Sequence, residues 1–328
     1  MLANHLQPNL LQEEPEMVPS RNGYGEGLLQ AGENNRQVVA LSADLTESTR
    51  TNLFAEAFPE RFIQVGIAEQ NMASVASGLA AMGKIPFVAS YAMFSPGRSW
   101  EQVRTTIAYN DSNVKIIGAH AGISVGPDGA THQALEDIAL MRVIPNMVVI
   151  APCDVHEAKR AVLAAVEYKG PVYIRVGREN TPVVTTVGSP FAIGKAEVYM
   201  QRNEAYAKKV GIIAAGTLLH NALSAARELN EQGIGASVMN MATIKPLDTD
   251  ALEKFAADHD ALVTVEEHQV AGGLGGAVAE HLSEVLPKKI IKIGVHDQFG
   301  QSGNMDELNA HYKMDIKAII EAAEKALA

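Results

Sequence analysis

Glu69 is the only acid in GIAEQNMASVASGLAAMG, residues 66–83, a stretch of mostly small and apolar side chains that follows the strand-like RFIQV. A first-turn carboxylate gains about 0.3–1 kcal/mol from the helix dipole. The same junction, a strand's carboxyl end meeting a helix, is also where parallel sheets bind ligands, so Glu69 is equally placed for acid chemistry. Asp44 and Ser48 in SADLTES (42–48) occupy another strand-to-loop edge. AHAGISVGPDGATHQ (119–133) gathers His120, Asp128 and His132 on a loop whose Gly122, Gly126, Pro127 and Gly129 permit tight turns and close approach to a ligand. Two histidines and an acid are zinc-ligand types, but a 12-residue step between the histidines is not a zinc spacing. Either histidine alone reads as a loop residue satisfied by backbone; both with an acid read as a site. Arg21 in PSRNG and Arg178 in VGREN sit at element ends. Alone each is a solvated cation, whereas converging on one pocket they form a phosphate clamp.

A competing nucleotide reading comes from GGLGGAVAE, where Gly273, Gly275 and Ala277 fit a relaxed dinucleotide fingerprint with Asp297 downstream. EHQVA intervenes between strand and glycines, so a Gly-rich helix start packed closely on a strand is the preferred reading. Cys153, the single cysteine, excludes an internal disulfide and a multi-cysteine metal site, and in APCDVHEA it reads as buried and structural.

The elements that must hold these residues alternate. From Asn22 onward, helix-period segments alternate with the strand-like QVVALSAD, FIQVGI, IPFVASY, VKIIGAH, MVVIAPC and PVYIRVG. Among the helices are GYGEGLLQAGEN, RTNLFAEAFPERF, Ala68 to Met82, WEQVRTTIAYND and VHEAKRAVLAAVEY. Such alternation predicts a parallel, doubly wound sheet covered on both faces. RENTPVVTTVGSPFAIG breaks the rhythm, and a second series starts near Lys195 with KKVGIIAAG, ASVMNMATI, ALVTVEE and KIIKIGV as strands. The expectation is an N-terminal arm over 1–20, outside the core, and two α/β domains over 21–187 and 188–328. A net charge of −11 argues against a general nucleic-acid or anionic-membrane surface. No basic region followed by an apolar core opens the chain, and no apolar run approaches membrane-spanning length, so the expected location is cytoplasmic.

SADLTES, GIAEQNMASVASGLAAMG and AHAGISVGPDGATHQALEDIALMRVIPNMVVIAPCD, in that order, resemble the transketolase family of thiamin-diphosphate enzymes. The likeness runs from about Arg21 through nearly all the chain. It corresponds to the second and third domains of a full-length transketolase: a thiamin-diphosphate pyrimidine-binding domain and a smaller C-terminal α/β domain, both doubly wound. The diphosphate domain's Gly-Asp-Gly…Asn signature does not occur here, and GPDG lacks a suitable downstream Asn. The resemblance therefore implies the C-terminal subunit of a split transketolase, which moves a two-carbon ketol unit from a ketose phosphate to an aldose phosphate. It implies thiamin diphosphate shared with an N-terminal partner subunit that holds Mg²⁺ or Ca²⁺, a dimer of this chain, and an α2β2 assembly.

Position by position, the resemblance implies that Glu69 bonds N1′ of the aminopyrimidine and so must hold or share a proton. Tyr91 and Phe94 match the aromatic wall around that ring, whose third member would fall at Gly97. Asp44 matches an acid near the cofactor at the subunit interface. His120, Ser48, Arg21 and Arg178 match residues that hold the sugar phosphate, and Asp128 and His132 match groups that meet substrate hydroxyls. His120 and His132 thereby join Glu69 as catalytic candidates. The alternatives are a 2-oxo-acid dehydrogenase E1-like β subunit, a deoxyxylulose-phosphate synthase-like enzyme, and a non-catalytic nucleotide-binding regulatory protein. The E1-type loops lack the HAG…DG.THQ pattern, and the synthase has Asp-Arg where this chain has Ala119-His120.

Overall fold

In the computed structural model, which describes residues 1–12 and 14–328, the apolar runs become two sheets. The strands in chain order are β1 (Met17–Val18), β2 (Val38–Ser42), β3 (Phe62–Gln64), β4 (Ile85–Tyr91), β5 (Lys115–Ala119), β6 (Val148–Ile150) and β7 (Val172–Val176). They continue with β8 (Thr181–Pro182), β9 (Glu197–Met200), β10 (Lys209–Ala214), β11 (Gly235–Asn240), β12 (Thr243–Lys245), β13 (Ala261–Gln269) and β14 (Ile290–Val295). The first sheet has the order β12-β6-β7-β5-β4-β2-β3 and the second β14-β13-β10-β11-β9, with β1 and β8 forming a separate pair. All neighbours from β6 to β3 are parallel. Every residue of β2, β5 and β7 is buried, as a sheet covered on both faces requires.

Alternate residues of one strand feed opposite cores. Val38 and Ala40 pack with the helices Ser20–Asn34 and Val155–Glu167, whereas Val39 and Leu41 pack with Met72, Ala76 and Ile107. The first helix pair meets closely: a Cβ on Gly23 would lie 1.9 Å from the carbonyl oxygen of Val155, so only glycine permits that crossing. The second core is shared between domains, since Ile213, Met239, Leu252 and Leu274 join it.

The two expected α/β series are both present, with three departures. First, the arm is not outside the core. Leu6 and Leu10 are buried in the second domain's cluster, the Gln7 N–H donates to the Val184 carbonyl at 2.9 Å, and Met17–Val18 pairs with Thr181–Pro182. Its apolar residues lack any period because a strap of successive turns follows the surface it crosses. Second, ASVMNMATI is two strands. After β11 the chain crosses sheets, and β12 pairs antiparallel with β6 through Thr243 and Ile150. Met241 N–H donates to Ala214 O and Ala151 N–H to Ala242 O, so the crossing residues are bonded to both sheets. Third, WEQVRTTIAYND becomes a single helical turn, Trp100–Gln102, followed by π-helical Val103–Ala108. The Thr105 and Thr106 hydroxyls donate to the carbonyls of Glu101 and Gln102, and such back-bonding bends and slightly destabilises an α-helix.

Candidate active site

The predicted site residues gather at the carboxyl ends of the parallel strands. Asp44 lies just past β2, Glu69 opens the helix Glu69–Ala81 after β3, Tyr91 ends β4, His120 follows β5, and Arg178 lies two residues past β7. β2 is flanked by β3 on one side and β4 on the other, which makes this a topological switch point, where open α/β sheets bind ligands. Asp44 (φ 62°), Arg50 (φ 68°) and His120 (φ 52°) all adopt the left-handed region without being glycine. Each such residue costs of order 1–3 kcal/mol, strain that folded proteins tend to keep at functional sites.

At one end is the acid. Glu69 is 2% exposed. Its Oε2 accepts from Arg98 Nη1 at 2.8 Å and its Oε1 from Ser90 Oγ at 3.4 Å. The Arg98 guanidinium lies over the Phe94 ring, 4.8 Å from its centroid. Phe94 and Tyr91 stack at 6.0 Å, Tyr91 stacks on His120 at 3.9 Å, and His132 meets both aromatic rings edge-on. Four rings thus form one wall leading from Glu69 toward the basic end. The wall has no third aromatic at Gly97, and none is sterically possible without backbone movement: a Cβ there would lie 2.1 Å from Met93 O.

At the other end, cations converge in an acidic protein. Arg21 Nη1 donates to the Ser48 carbonyl at 2.9 Å and to His120 Nε2 at 3.2 Å. Burial and the charges of Arg50 and Arg178 hold the Arg21 guanidinium below its usual pKa, so three arginines share this region. Arg178 reaches Asp128 at 3.7 Å and donates to the Val125 carbonyl at 2.6 Å, tying the strand end to the glycine-rich loop. Because Arg21 can only donate, His120 Nε2 must accept, which leaves the proton on Nδ1. That Nδ1 is buried without a hydrogen-bond partner.

Burial first, and then Arg21, Arg178 and His132, push the His120 imidazolium down to about pKa 3. The folded value lies below the unfolded one, so unfolded chains bind the proton first and this residue costs stability as pH falls from about 6.5 toward 3. The expected NMR result is a His120 ring that stays neutral from pH 8 to 4.5; titration near 6.5 would contradict the buried, cation-faced geometry.

Asp44 stands apart. Its side chain is exposed, and its backbone N–H donates to Gln64 Oε1, which also accepts from Gly66 N–H. Ser48 enters through its carbonyl rather than its hydroxyl. Sequence reasoning missed Arg98, Arg50, Gln133 and Glu267. Glu267, on β13 of the second domain, accepts from Ser124 N–H at 2.6 Å, while Gln133 Nε2 donates to Ile123 O and Gln301 O. The second domain therefore props the loop that carries Asp128 and His132. A cation four residues after Phe94 and an acid distant in sequence carry no periodic signal, so only the structure reveals them.

The dinucleotide reading of GGLGG does not fit the geometry. Leu274 and Gly275 N–H groups, which a dinucleotide pyrophosphate would need, already donate to the buried carboxylate of Glu266 at 2.7 and 2.8 Å. A Cβ on Gly275 would lie 2.6 Å from Thr264 Oγ1, so GGLGG is a closely packed helix start. Among the described residues, no three His, Cys, Asp or Glu side chains group as a metal site. Cys153 is free and buried, and burial pushes its thiol up.

Comparison with known proteins decides the family. Residues 16–184 match the model of the transketolase pyrimidine binding domain, and 199–319 match that of the transketolase C-terminal domain. The chain belongs to the transketolase family. It is 48% identical to a putative transketolase C-terminal section of Methanocaldococcus jannaschii, over 91% of this chain and 93% of that one. A 6-deoxy-6-sulfo-D-fructose transketolase subunit of Clostridium sp. is 39% identical, over 93% of each. A solved split-gene transketolase, an inactive β4 tetramer, superposes with a TM-score of 0.87 at 45% identity, covering 94% of this chain and 98% of that one. In this transketolase chain, a buried carboxylate lies beside an aromatic face, with an unpartnered buried ring nitrogen further along the wall. Among the described residues, no helix is long and apolar enough to cross a membrane.

Proposed function

We propose that this chain is the pyrimidine-binding half of a split transketolase, transferring a two-carbon ketol unit between sugar phosphates once a partner chain supplies the diphosphate and metal site. The observation that carries the reading is the single wall of rings joining the buried Glu69 to the Arg21–His120–Arg178 end. When bound, thiamin diphosphate would supply a nucleophilic carbon and an electron sink for the ketol fragment. Glu69 would hold the ring's N1′ and share its proton, Phe94 and Tyr91 would pack the ring, and Asp44 would face the partner subunit. His120 and His132 would bond the substrate from their ring nitrogens, Asp128 would take its hydroxyls, and Arg21, Arg178 and His120 would frame its terminal anion, with the Ser48 carbonyl orienting Arg21.

Support for a partner comes from the solved relative, whose lone chains form an inactive tetramer. Support for self-association comes from the helix Glu69–Ala81: Ile67 and Met82 flank it at 74% and 81% exposed, and Gly78 faces open space. An α2β2 assembly follows from pairing this face with its copy and each chain with a partner. The sulfo-sugar in one relative's name is consistent with an end that recognises a tetrahedral anion. The cytoplasmic placement is proposed on the sequence reading alone.

The test of substrate class is Arg178→Ala in the assembled enzyme. Losing one charge-assisted contact predicts a KM for phosphorylated donors and acceptors raised about 10- to 100-fold, with kcat little changed. Hydroxypyruvate, which never reaches that end, should be nearly unaffected. Equal loss on both substrate types would mean that Arg178 acts only by bracing Val125, and the phosphate assignment would fail.

A further inference from the structure

We propose that Arg98 holds the place of the cofactor's aminopyrimidine in the lone chain and must leave before that ring can bind. The inference rests on the reading of Glu69 above, and adds to it a residue that competes with the ring.

A bound aminopyrimidine needs two things from this chain: a carboxylate oxygen for N1′ and an aromatic face for its plane. Both are in use. Glu69 Oε2 is bonded to Arg98 Nη1 at 2.8 Å, and Phe94 is covered by the same guanidinium at 4.8 Å. A guanidinium is planar, delocalised and a hydrogen-bond donor along its edge, so it satisfies an acid and an aromatic face together, as a protonated aminopyrimidine would. Two such planes cannot occupy one face of Phe94 while bonding one oxygen.

The placement also makes Arg98 removable. Its side chain is 48% exposed while that of Glu69 is 1% exposed, so the cation is half open to solvent while its acid is enclosed. Among the described residues, Glu69 is its only hydrogen-bond or ion-pair partner. Leaving costs Arg98 little because water replaces its bonds. It costs Glu69 more, since a buried carboxylate would lose its charged donor. The exchange is therefore favourable only as another donor arrives, and Glu69 is never left bare. An empty half-site would stay closed to stray rings, and the cofactor would displace the plug with help from the contacts its diphosphate gains on the partner.

The experiment is calorimetric titration of the full isolated chain with thiamin, which carries the aminopyrimidine without the diphosphate, up to millimolar concentration. A plug occupied nine-tenths of the time lowers apparent affinity about 10-fold, because affinity scales with the competent fraction. Arg98→Met, whose side chain neither bonds the acid nor carries charge, should thus bind thiamin about 10-fold or more tighter than wild type; its circular dichroism melt should stay cooperative but fall in midpoint, because Glu69 has lost its charged donor. Binding by Arg98→Met that is undetectable, equal to wild type or weaker overturns the proposal, because Arg98 would then be a contact for the ring or irrelevant to it. The double variant Glu69→Gln, Arg98→Met separates the two readings. Loss of the gain supports Glu69 as the ring's acid and Arg98 as its competitor. A retained gain overturns the role of Glu69 in this competition, and with it the reading on which the proposal rests.

Discussion

Glu69→Gln in the assembled enzyme is expected to lower kcat by about 10²–10⁴-fold, the range over which positioned acid–base groups act. Gln preserves the side chain's shape, and its carbonyl oxygen can still accept from Arg98 or Ser90, the two donors that reach Glu69. What it loses is the capacity to hold and release a proton at that atom. The fold should survive: the variant removes a buried charge whose partner is half exposed, so Arg98 turns to water at little cost. Cofactor affinity should fall less than turnover, because Phe94, Tyr91 and the diphosphate site remain. Exchange of the cofactor's C2 proton with deuterium reports the assigned role without involving substrate. Near-normal exchange in the Glu69→Gln enzyme would show that some other group performs it.

How much of this site could be read from the sequence depends on the kind of signal each residue leaves. Glu69, Tyr91 and His120 lie at strand ends that alternation of apolar and helical segments marks clearly, and the structure puts all three on one wall. Arg21 and Arg178 are 157 residues apart, and only the parallel sheet brings them together. The motif resemblance, not the pattern of charges, pairs them in advance. Arg50 left no trace because its position depends on a left-handed backbone turn after Ser48 that no propensity announces. Arg98 was hidden for another reason: a cation between glycine and serine near a helix start reads as solvated.

The fold shows the same division. β2, β4, β5 and β7 stand where their apolar runs lie, because burial on both faces demands unbroken apolar residues. The arm and β12 do not follow from pattern, since both serve surfaces made elsewhere in the chain. Leu6 and Leu10 look like scattered leucines until Ala222, Ala226 and their neighbours supply the groove. MATI looks like the tail of one strand until Ile150 offers a second edge. Glu267 belongs to the same class, a buried second-domain acid whose partner is a loop of the first domain.

On the proposed reading, this chain is half of an active site. Glu69, the ring wall and the basic cluster are proposed to receive the aminopyrimidine and the sugar, while Asp44 lies exposed at their edge. The cofactor's charged tail is proposed to be held by the partner chain. The most direct measurement is complementation: purified chain, alone and mixed with a transketolase N-terminal subunit, assayed for ketol transfer from xylulose 5-phosphate to ribose 5-phosphate with thiamin diphosphate and Mg²⁺. The chain alone should show only background turnover at any cofactor concentration. On mixing, activity should appear that saturates at one partner chain per chain, and it should vanish when thiamin diphosphate or Mg²⁺ is omitted. Sustained turnover by the chain alone would contradict that reading.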